Sequence, residues 1–320
     1  MSRVAGIIID TDPGIDDVIA ILLALAAASD GDLAQSGPAL QVLGLTTVGG
    51  NVPLAQGTIN ALAVLNAIGR LDISVHRGSS RPVVGRFGYS FAFHGKTGLP
   101  GRLPKQQGRP SVQRATEFLS HCLRESPGGI TIVALGPLTN LARLMQRYPG
   151  ALEKAGSIAV MGGAVNSPGN VTTHAEFNFY SDPQAANMVV SSEVPMVLVD
   201  LGASRQAALS RHQVESLTGG TPLGKLAVRL LQAWFRLDPG RDQFQFYDPL
   251  TMAATIDPNV VSGTQMTLEV ETRDQERLGK SRVIRQGGNI RVVERVDRVL
   301  FFSLLKRLFA WEGIDPENLS

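Results

Sequence analysis

The chain has 320 residues, 43% hydrophobic and 18% charged, a balance that excludes intrinsic disorder and leaves room for a sizeable core. Its 30 basic and 28 acidic side chains give a formal charge of +2 with no basic block of the kind a phosphate track needs, which excludes nucleic acid as an expected partner. The longest apolar stretch, Val18 to Ala28, is too short to span a bilayer, and the apolar part of the first ten residues is too short for a signal peptide.

In chain order, short apolar runs alternate with longer helical patterns. Strands are predicted at Val4–Ile9, Leu40–Val48, Ile73–His76, Ile130–Leu135, Ser157–Met161 and Met196–Asp200. Helices are predicted at Asp16–Ala28, Pro53–Ile68, Ser111–Arg124, Thr139–Tyr148 and Pro183–Ser191. Several strands are too uniformly apolar to have a wet face, which argues for an α/β fold: an open, mostly parallel sheet with helices on both faces. Ligands of such sheets bind along the edge made by the strand C-terminal ends. Pro53 suits a first helical turn, and Ser111 opens Val112-Gln113-Arg114 as an N-cap would. Three loops stand out, Ser29–Pro38, Gly78–Pro110 and Gly162–Asp182, the last two long enough to imply function or mobility.

After Thr264 the texture becomes antiparallel. Thr267–Glu271 alternates, Ser281–Arg285 and Asn289–Glu294 flank Gly287-Gly288 like a hairpin, and Asp297–Ala310 is an amphipathic closing helix. No linker or internal repeat divides the chain, so one domain is expected. The lone cysteine, Cys122, cannot form an internal disulfide and shares a helical pattern with Phe118 and Leu119, so it reads as a buried structural thiol. A soluble cytoplasmic protein with no membrane partner is expected.

The chemistry concentrates in Asp10-Thr11-Asp12-Pro13-Gly14-Ile15-Asp16-Asp17, where an apolar strand ends, Pro13-Gly14 turns the chain, and a helix begins. Four carboxylates so close repel one another unless a positive group sits among them, and a hard cation with oxygen ligands, Ca²⁺ or Mg²⁺, suits them best. Helix capping accounts for Asp16 or Asp17 taken singly, but poorly for all four. Two reaction classes use such a cluster. A haloacid-dehalogenase-type phosphohydrolase employs Asp-x-Asp at the end of its first strand, as Asp10-Thr11-Asp12 provides, but leaves Asp16-Asp17 without a role. Metal-assisted hydrolysis instead uses a cation to acidify a water that a neighbouring carboxylate deprotonates.

The same eight residues resemble the N-terminal signature of the inosine–uridine-preferring nucleoside hydrolase family. Further stretches match in the family's order: Thr46-Thr47-Val48-Gly49-Gly50-Asn51, His94-Gly95-Lys96-Thr97-Gly98-Leu99, Ala134 to Asn140, Met161-Gly162-Gly163, Ala175-Glu176-Phe177-Asn178 and Asp248-Pro249. The resemblance implies an open α/β fold that binds Ca²⁺ and hydrolyses the N-glycosidic bond of ribonucleosides to ribose and free base. By motif, Asp12, Asp17 and Asp248 are the side-chain ligands of the cation and the carbonyl of Leu135 is another. Asp12 is also the base that activates water, with Asp10 supporting the cluster from behind. Asp16, Asn51, Asn170, Glu176 and Asn178 hold the ribose hydroxyls and the 5′ end, beside Phe177. The family's usual assembly implies a homodimer or homotetramer, with a small-molecule ribonucleoside as partner.

One departure concerns the leaving base. Many members carry a histidine before the last metal-binding aspartate, credited with protonating the base; here the position is Tyr247. A phenol of ordinary pKa is not matched to proton transfer at neutral pH. His94, in a long loop, is one substitute. Stacking by Phe87, Tyr89, Phe91, Phe93, Phe177, Phe244, Phe246 or Tyr247 is another, although each aromatic taken singly can equally be packing. His76, His121, His174 and His212 show no metal-ligand spacing and read as surface or supporting residues. The Tyr247 departure also keeps open a ribonucleoside-binding protein without turnover. Ser29–Pro38 is longer than the corresponding family loop.

Overall fold

The computed structural model describes residues 6–35, 40–101, 103 and 107–319. Nine strands form its main sheet: β1 (Gly6–Thr11), β2 (Gln41–Thr47), β3 (Val75–Arg77), β4 (Ile130–Ala134), β5 (Ser157–Met161), β6 (Met196–Val199), β7 (Val261–Val270), β8 (Ser281–Gln286) and β9 (Ile290–Val296). Hydrogen-bonded neighbours run β3-β2-β1-β4-β5-β6-β9 in parallel, and β7 pairs antiparallel with both β9 and β8. The order reverses between β1 and β4, whose carboxyl ends therefore border the crevice where open α/β sheets bind ligands.

Alternation along β1 assigns the two faces. Ile7 and Ile9 join one apolar core and Ile8 the other, all three fully buried. Helix α1 (Ile15–Ala28) runs through the first core, buried on nearly every side, as its unbroken apolar sequence requires. Against it pack Pro222–Leu237, Tyr247–Ile256 and Arg298–Phe309. The other face carries Ala115–Glu125, Thr139–Arg147 and Pro183–Val190. Among the described residues no helix is long and apolar enough to cross a membrane.

The fold is as the sequence led one to expect, with local differences. Val4 of the first predicted strand lies outside the described residues. Ser111 is not an N-cap: its N–H bonds Val75 O at 2.8 Å, so the segment adds a bridge to the sheet edge and the helix starts at Ala115. Gly287-Gly288 does not close a hairpin. β8 pairs with the C-terminal half of β7 and β9 with its N-terminal half, so the glycines join two strands that follow one another along β7. Each long loop holds a short helix, Gly31–Gln35, Phe91–His94 and Phe177–Ser181. Cys122 is half-buried rather than buried, and His76, read as a surface or supporting residue, is buried and stacked on Phe118 at 3.8 Å.

Candidate active site

At the switch point β1 ends in Asp10 and Thr11, and Leu135 N–H bonds Asp10 O at 2.8 Å, which fixes the ends of β1 and β4 side by side. The turn through Pro13-Gly14 delivers Asp16 and Asp17 into the first turn of α1, and Asp248 arrives from the first turn of Tyr247–Ile256. That last helix is aimed by the antiparallel pair Ala208–Ser210 and Gln243–Gln245, and by the Phe246 N–H bond to Ala207 O at 2.8 Å. Carboxylate oxygens of Asp16, Asp17 and Asp248 lie within 4.8 Å of one another, all buried.

Asp17 is held most tightly. It accepts from Thr11 Oγ1 (2.5 Å), Asp12 N–H (3.2 Å), Gly14 N–H (2.9 Å) and the Asn51 side-chain amide (3.0 Å). Asp12 accepts from Asn51 N–H at 2.5 Å through Oδ2, while its buried Oδ1 has no partner. A Cβ at Gly136 would stand 2.5 Å from that oxygen, so glycine is what allows the backbone of the β4 end to approach it. Asp16 Oδ1 is also buried and unpartnered. Asp10 lies apart, accepting from Thr46 Oγ1 (2.5 Å) and Asn140 Nδ2 (2.7 Å).

Burial, then mutual repulsion, pushes Asp12 and Asp248 well above the usual carboxylate range and Asp16 to about 8; burial alone takes Asp10 to about 7. Among the described residues no lysine or arginine forms an ion pair with the cluster; the one neighbouring base is His94, its Nδ1 3.8 Å from Asp16 Oδ1. Clustered, all-oxygen, partly unpartnered carboxylates fit a hard divalent cation.

Above the cluster opens a cleft of about 310 Å³, lined by Asp16, Asn51, Leu135, Asn178 and Asp248 below and by His94, Asn170, Glu176, Phe177 and Tyr247 around it. His94 is buried and takes the Ile15 N–H on Nδ1 at 3.2 Å, so its proton sits on Nε2; burial, helped by Arg241, lowers its pKa to about 3. Tyr247 donates its hydroxyl to Gln245 Oε1, and burial and Asp16 raise it to about 12. Glu176 caps Phe177–Ser181, accepting from the N–H groups of Asn178 (2.7 Å), Phe179 (3.1 Å) and Gly163 (2.9 Å); burial still takes it to about 7. The Asn178 amide donates to Leu135 O at 2.8 Å. Asn170 is exposed on the rim, its N–H bonded to Ala175 O at 3.1 Å.

Residues 7–303 match the family described as inosine-uridine preferring nucleoside hydrolase. The chain belongs to that family. It is 37% identical over 275 residues to uridine nucleosidase 1 of Arabidopsis thaliana, covering 83% of this chain and 78% of that protein. It is 33% identical over 318 residues to the pyrimidine-specific ribonucleoside hydrolase RihA of Citrobacter koseri, covering 95% and 98%. Among solved structures, a plant nucleoside hydrolase matches with a TM-score of 0.86 at 33% identity, over 96% of this chain and 100% of that one. The protein is thus an enzyme, a nucleoside hydrolase that cleaves the N-glycosidic bond of ribonucleosides. The phosphohydrolase and the binder without turnover are not favoured.

Other parts of this nucleoside hydrolase were not evident in its sequence. Phe244 and Phe246 are fully buried against Trp234, Phe301 and Phe302, so they pack the core and do not face the cleft. Phe87 is buried and Tyr89 and Phe91 are exposed, their rings 5.3 Å apart; Phe93, Phe177 and Tyr247 remain as the aromatic lining. The short helix that carries His94 is clamped from outside. Arg241 donates to Ala92 O (3.0 Å) and Phe93 O (3.2 Å) and lies 4.0 Å over the Trp234 ring, and Trp234 Nε1 bonds Phe93 O at 2.9 Å. No local motif marks Arg241 or Trp234, because they act through backbone atoms distant in sequence.

Proposed function

We propose that this hydrolase is Ca²⁺-dependent and that Asp12 activates the attacking water. One observation carries the reading: buried carboxylates gathered at the sheet's switch point, with oxygens of Asp12 and Asp16 left without partners. Asp12, Asp17, Asp248 and the Leu135 carbonyl would hold the ion; a carbonyl has a second lone pair, so the Asn178 bond does not preclude this. When bound, the ion supplies fixed positive charge that lowers a water's pKa and accepts hydroxyl oxygens as ligands.

The chain's own groups then divide the work. Asp12, with Oδ2 fixed by the Asn51 N–H, turns its free Oδ1 to take the water's proton. Asp16, Asn51, Asn170, Glu176 and Asn178 hold the ribose hydroxyls, with Phe177 beside the sugar, and the carboxylates stabilise positive charge growing at C1′. His94 in its neutral form offers Nε2–H as a donor to the leaving side, and Tyr247 presents an oxygen whose proton is committed to Gln245. Neither is an acid at neutral pH, so base departure rests on hydrogen bonding and contact with the aromatic lining.

The relatives at 37% and 33% identity are named for uridine and pyrimidine ribonucleosides, which supports testing pyrimidine ribonucleosides first. The test is a panel of ribonucleosides and their 2′-deoxy counterparts, scored for free base and sugar. Ribonucleosides should turn over and the deoxy forms far less, since a missing hydroxyl leaves buried polar groups unpaired. Equal turnover of both would contradict recognition of the ribose diol.

A further inference from the structure

Outside the catalytic cleft, four arginines gather around a cavity of about 410 Å³ on the other side of the β3 end. Arg77 closes β3, Arg114 precedes the helix Ala115–Glu125, and Arg143 and Arg147 stand on Thr139–Arg147. Ser79 and Thr116 add hydroxyls to the same lining, and the first turn of the Ala115 helix opens on it. Two carboxylates stand near. Glu117 accepts from Arg147 at 3.2 Å and from the Arg114 N–H at 3.3 Å, and Asp182 lies near enough for Arg143 to favour its charged form. Arg143 also donates to Gln146 Oε1 (3.1 Å) and Pro82 O (3.3 Å). Positive charge remains in excess, and Arg77 Nε is buried with no hydrogen-bond partner.

Arg77 and Arg143 are half-buried and Arg114 and Arg147 exposed, so an anion seated in the cavity they line can accept from several guanidinium groups at once. The cavity is concave and of small-molecule size, which disfavours an extended acidic chain. We propose that this arginine cavity binds the phosphoryl group of a small molecule, either inorganic phosphate or a phosphate monoester. A guanidinium fork pairs with carboxylate and phosphate alike. A phosphoryl group, however, carries three or four oxygens and up to two charges, so it can accept from several arginines at once, where a carboxylate has two oxygens and a chloride no directed pair. The cavity shares no lining residue with the catalytic cleft, so its occupant is not a reactant there. It is nonetheless close to the site's framework. Ser79 N–H bonds Asn140 Oδ1 at 2.9 Å, Asn140 bonds Asp10, and Ser79 O accepts from Gly49 N–H at 2.9 Å, two residues before Asn51.

The test is calorimetric titration of the full chain with inorganic phosphate, ribose 5-phosphate and ribose, at ionic strength matched with chloride. Phosphate and ribose 5-phosphate should bind in a way the arginine variants weaken, whereas any ribose heat comes from the catalytic cleft and should be the same in those variants. Tighter binding of ribose 5-phosphate marks a monoester site and equal binding a free-anion site; either supports the proposal. The double variant Arg77→Met, Arg114→Met should weaken binding by about tenfold or more while keeping the melting transition, since each lost charge-assisted pair is worth about that factor. Arg147→Met, at an exposed side chain, supplies a second variant if the double one fails to fold. No heat beyond the chloride control, or unchanged affinity in a folded variant, overturns the proposal. So does binding of an acidic peptide in place of phosphate.

Discussion

Gly14→Ala tests the placement of His94 without touching the imidazole itself. Gly14 has φ −95°, a conformation alanine adopts freely, so no backbone strain accompanies the change. What changes is space. A Cβ there would stand 2.5 Å from His94 Cε1 and 3.0 Å from Cγ. Carbon atoms rest about 3.5–4.0 Å apart, so the ring must move by about 1 Å. The Ile15 N–H bond to Nδ1, already 3.2 Å long, is then lost. Overpacking of this kind costs about 1–3 kcal/mol and the hydrogen bond about 1 kcal/mol more, a modest fall in melting temperature. Catalysis should suffer more, because a misplacement of about 1 Å in a catalytic group costs on the order of 10²-fold. Steady-state kinetics at saturating ribonucleoside, beside thermal melting, measure both. His94→Ala should lose a similar factor, and the double variant little more than either alone. A Gly14→Ala enzyme that turns over at the wild-type rate would refute the reasoning.

Three further expectations concern the carboxylates and the phenol. Asp12→Asn should lower kcat by about 10²–10⁴-fold, the usual worth of a general base, while ribonucleoside binding measured by calorimetry persists; loss of binding with kcat intact would assign Asp12 another role. In the presence of a chelator, stability should fall as pH rises. Asp16 and Glu176 bind their protons more tightly folded, at about 8 and about 7, than at the ordinary carboxylate values near 4. Their contribution is thus fully present below pH 4 and is lost between pH 4 and 8, at roughly 1.4 kcal/mol per unit for each group in its window. Melting curves across that range check this, and a melting temperature that rises with pH contradicts it. Tyr247→Phe should cost less than about tenfold in kcat, since a hydroxyl held near 12 and bonded to Gln245 moves no proton at neutral pH. A loss of about 10³-fold would restore Tyr247 as the acid.

What could be read from the sequence followed from local chemistry. Uniformly apolar runs such as Ile7-Ile8-Ile9 announce strands covered on both faces, and Pro13-Gly14 between aspartates announces a turn at a strand end. The features that escaped depend on contacts across the fold. Asn140 meets Asp10 across 130 residues of chain, and Trp234 meets Phe93 across 141. Ser111 has an N-cap's composition, yet its N–H is taken by the sheet edge. Gly287-Gly288 reads as a hairpin turn because both flanking runs alternate, and only the register along β7 shows that they are consecutive partners of one strand. The helices Pro222–Leu237 and Tyr247–Ile256 were also missed, although Thr221, which accepts from Gly224 N–H at 2.9 Å, and Pro222 form a legible helix start.

On the proposed mechanism, hydrolysis of the N-glycosidic bond requires a calcium ion held by the buried aspartates. The most direct test of this requirement follows ribose release from a ribonucleoside after the metal is stripped with a chelator and then returned. Turnover should fall to background on stripping and recover when Ca²⁺ is added back, with wild-type protein but not Asp248→Asn at the same concentration. Turnover that survives exhaustive chelation, or that Ca²⁺ does not restore, would contradict the requirement.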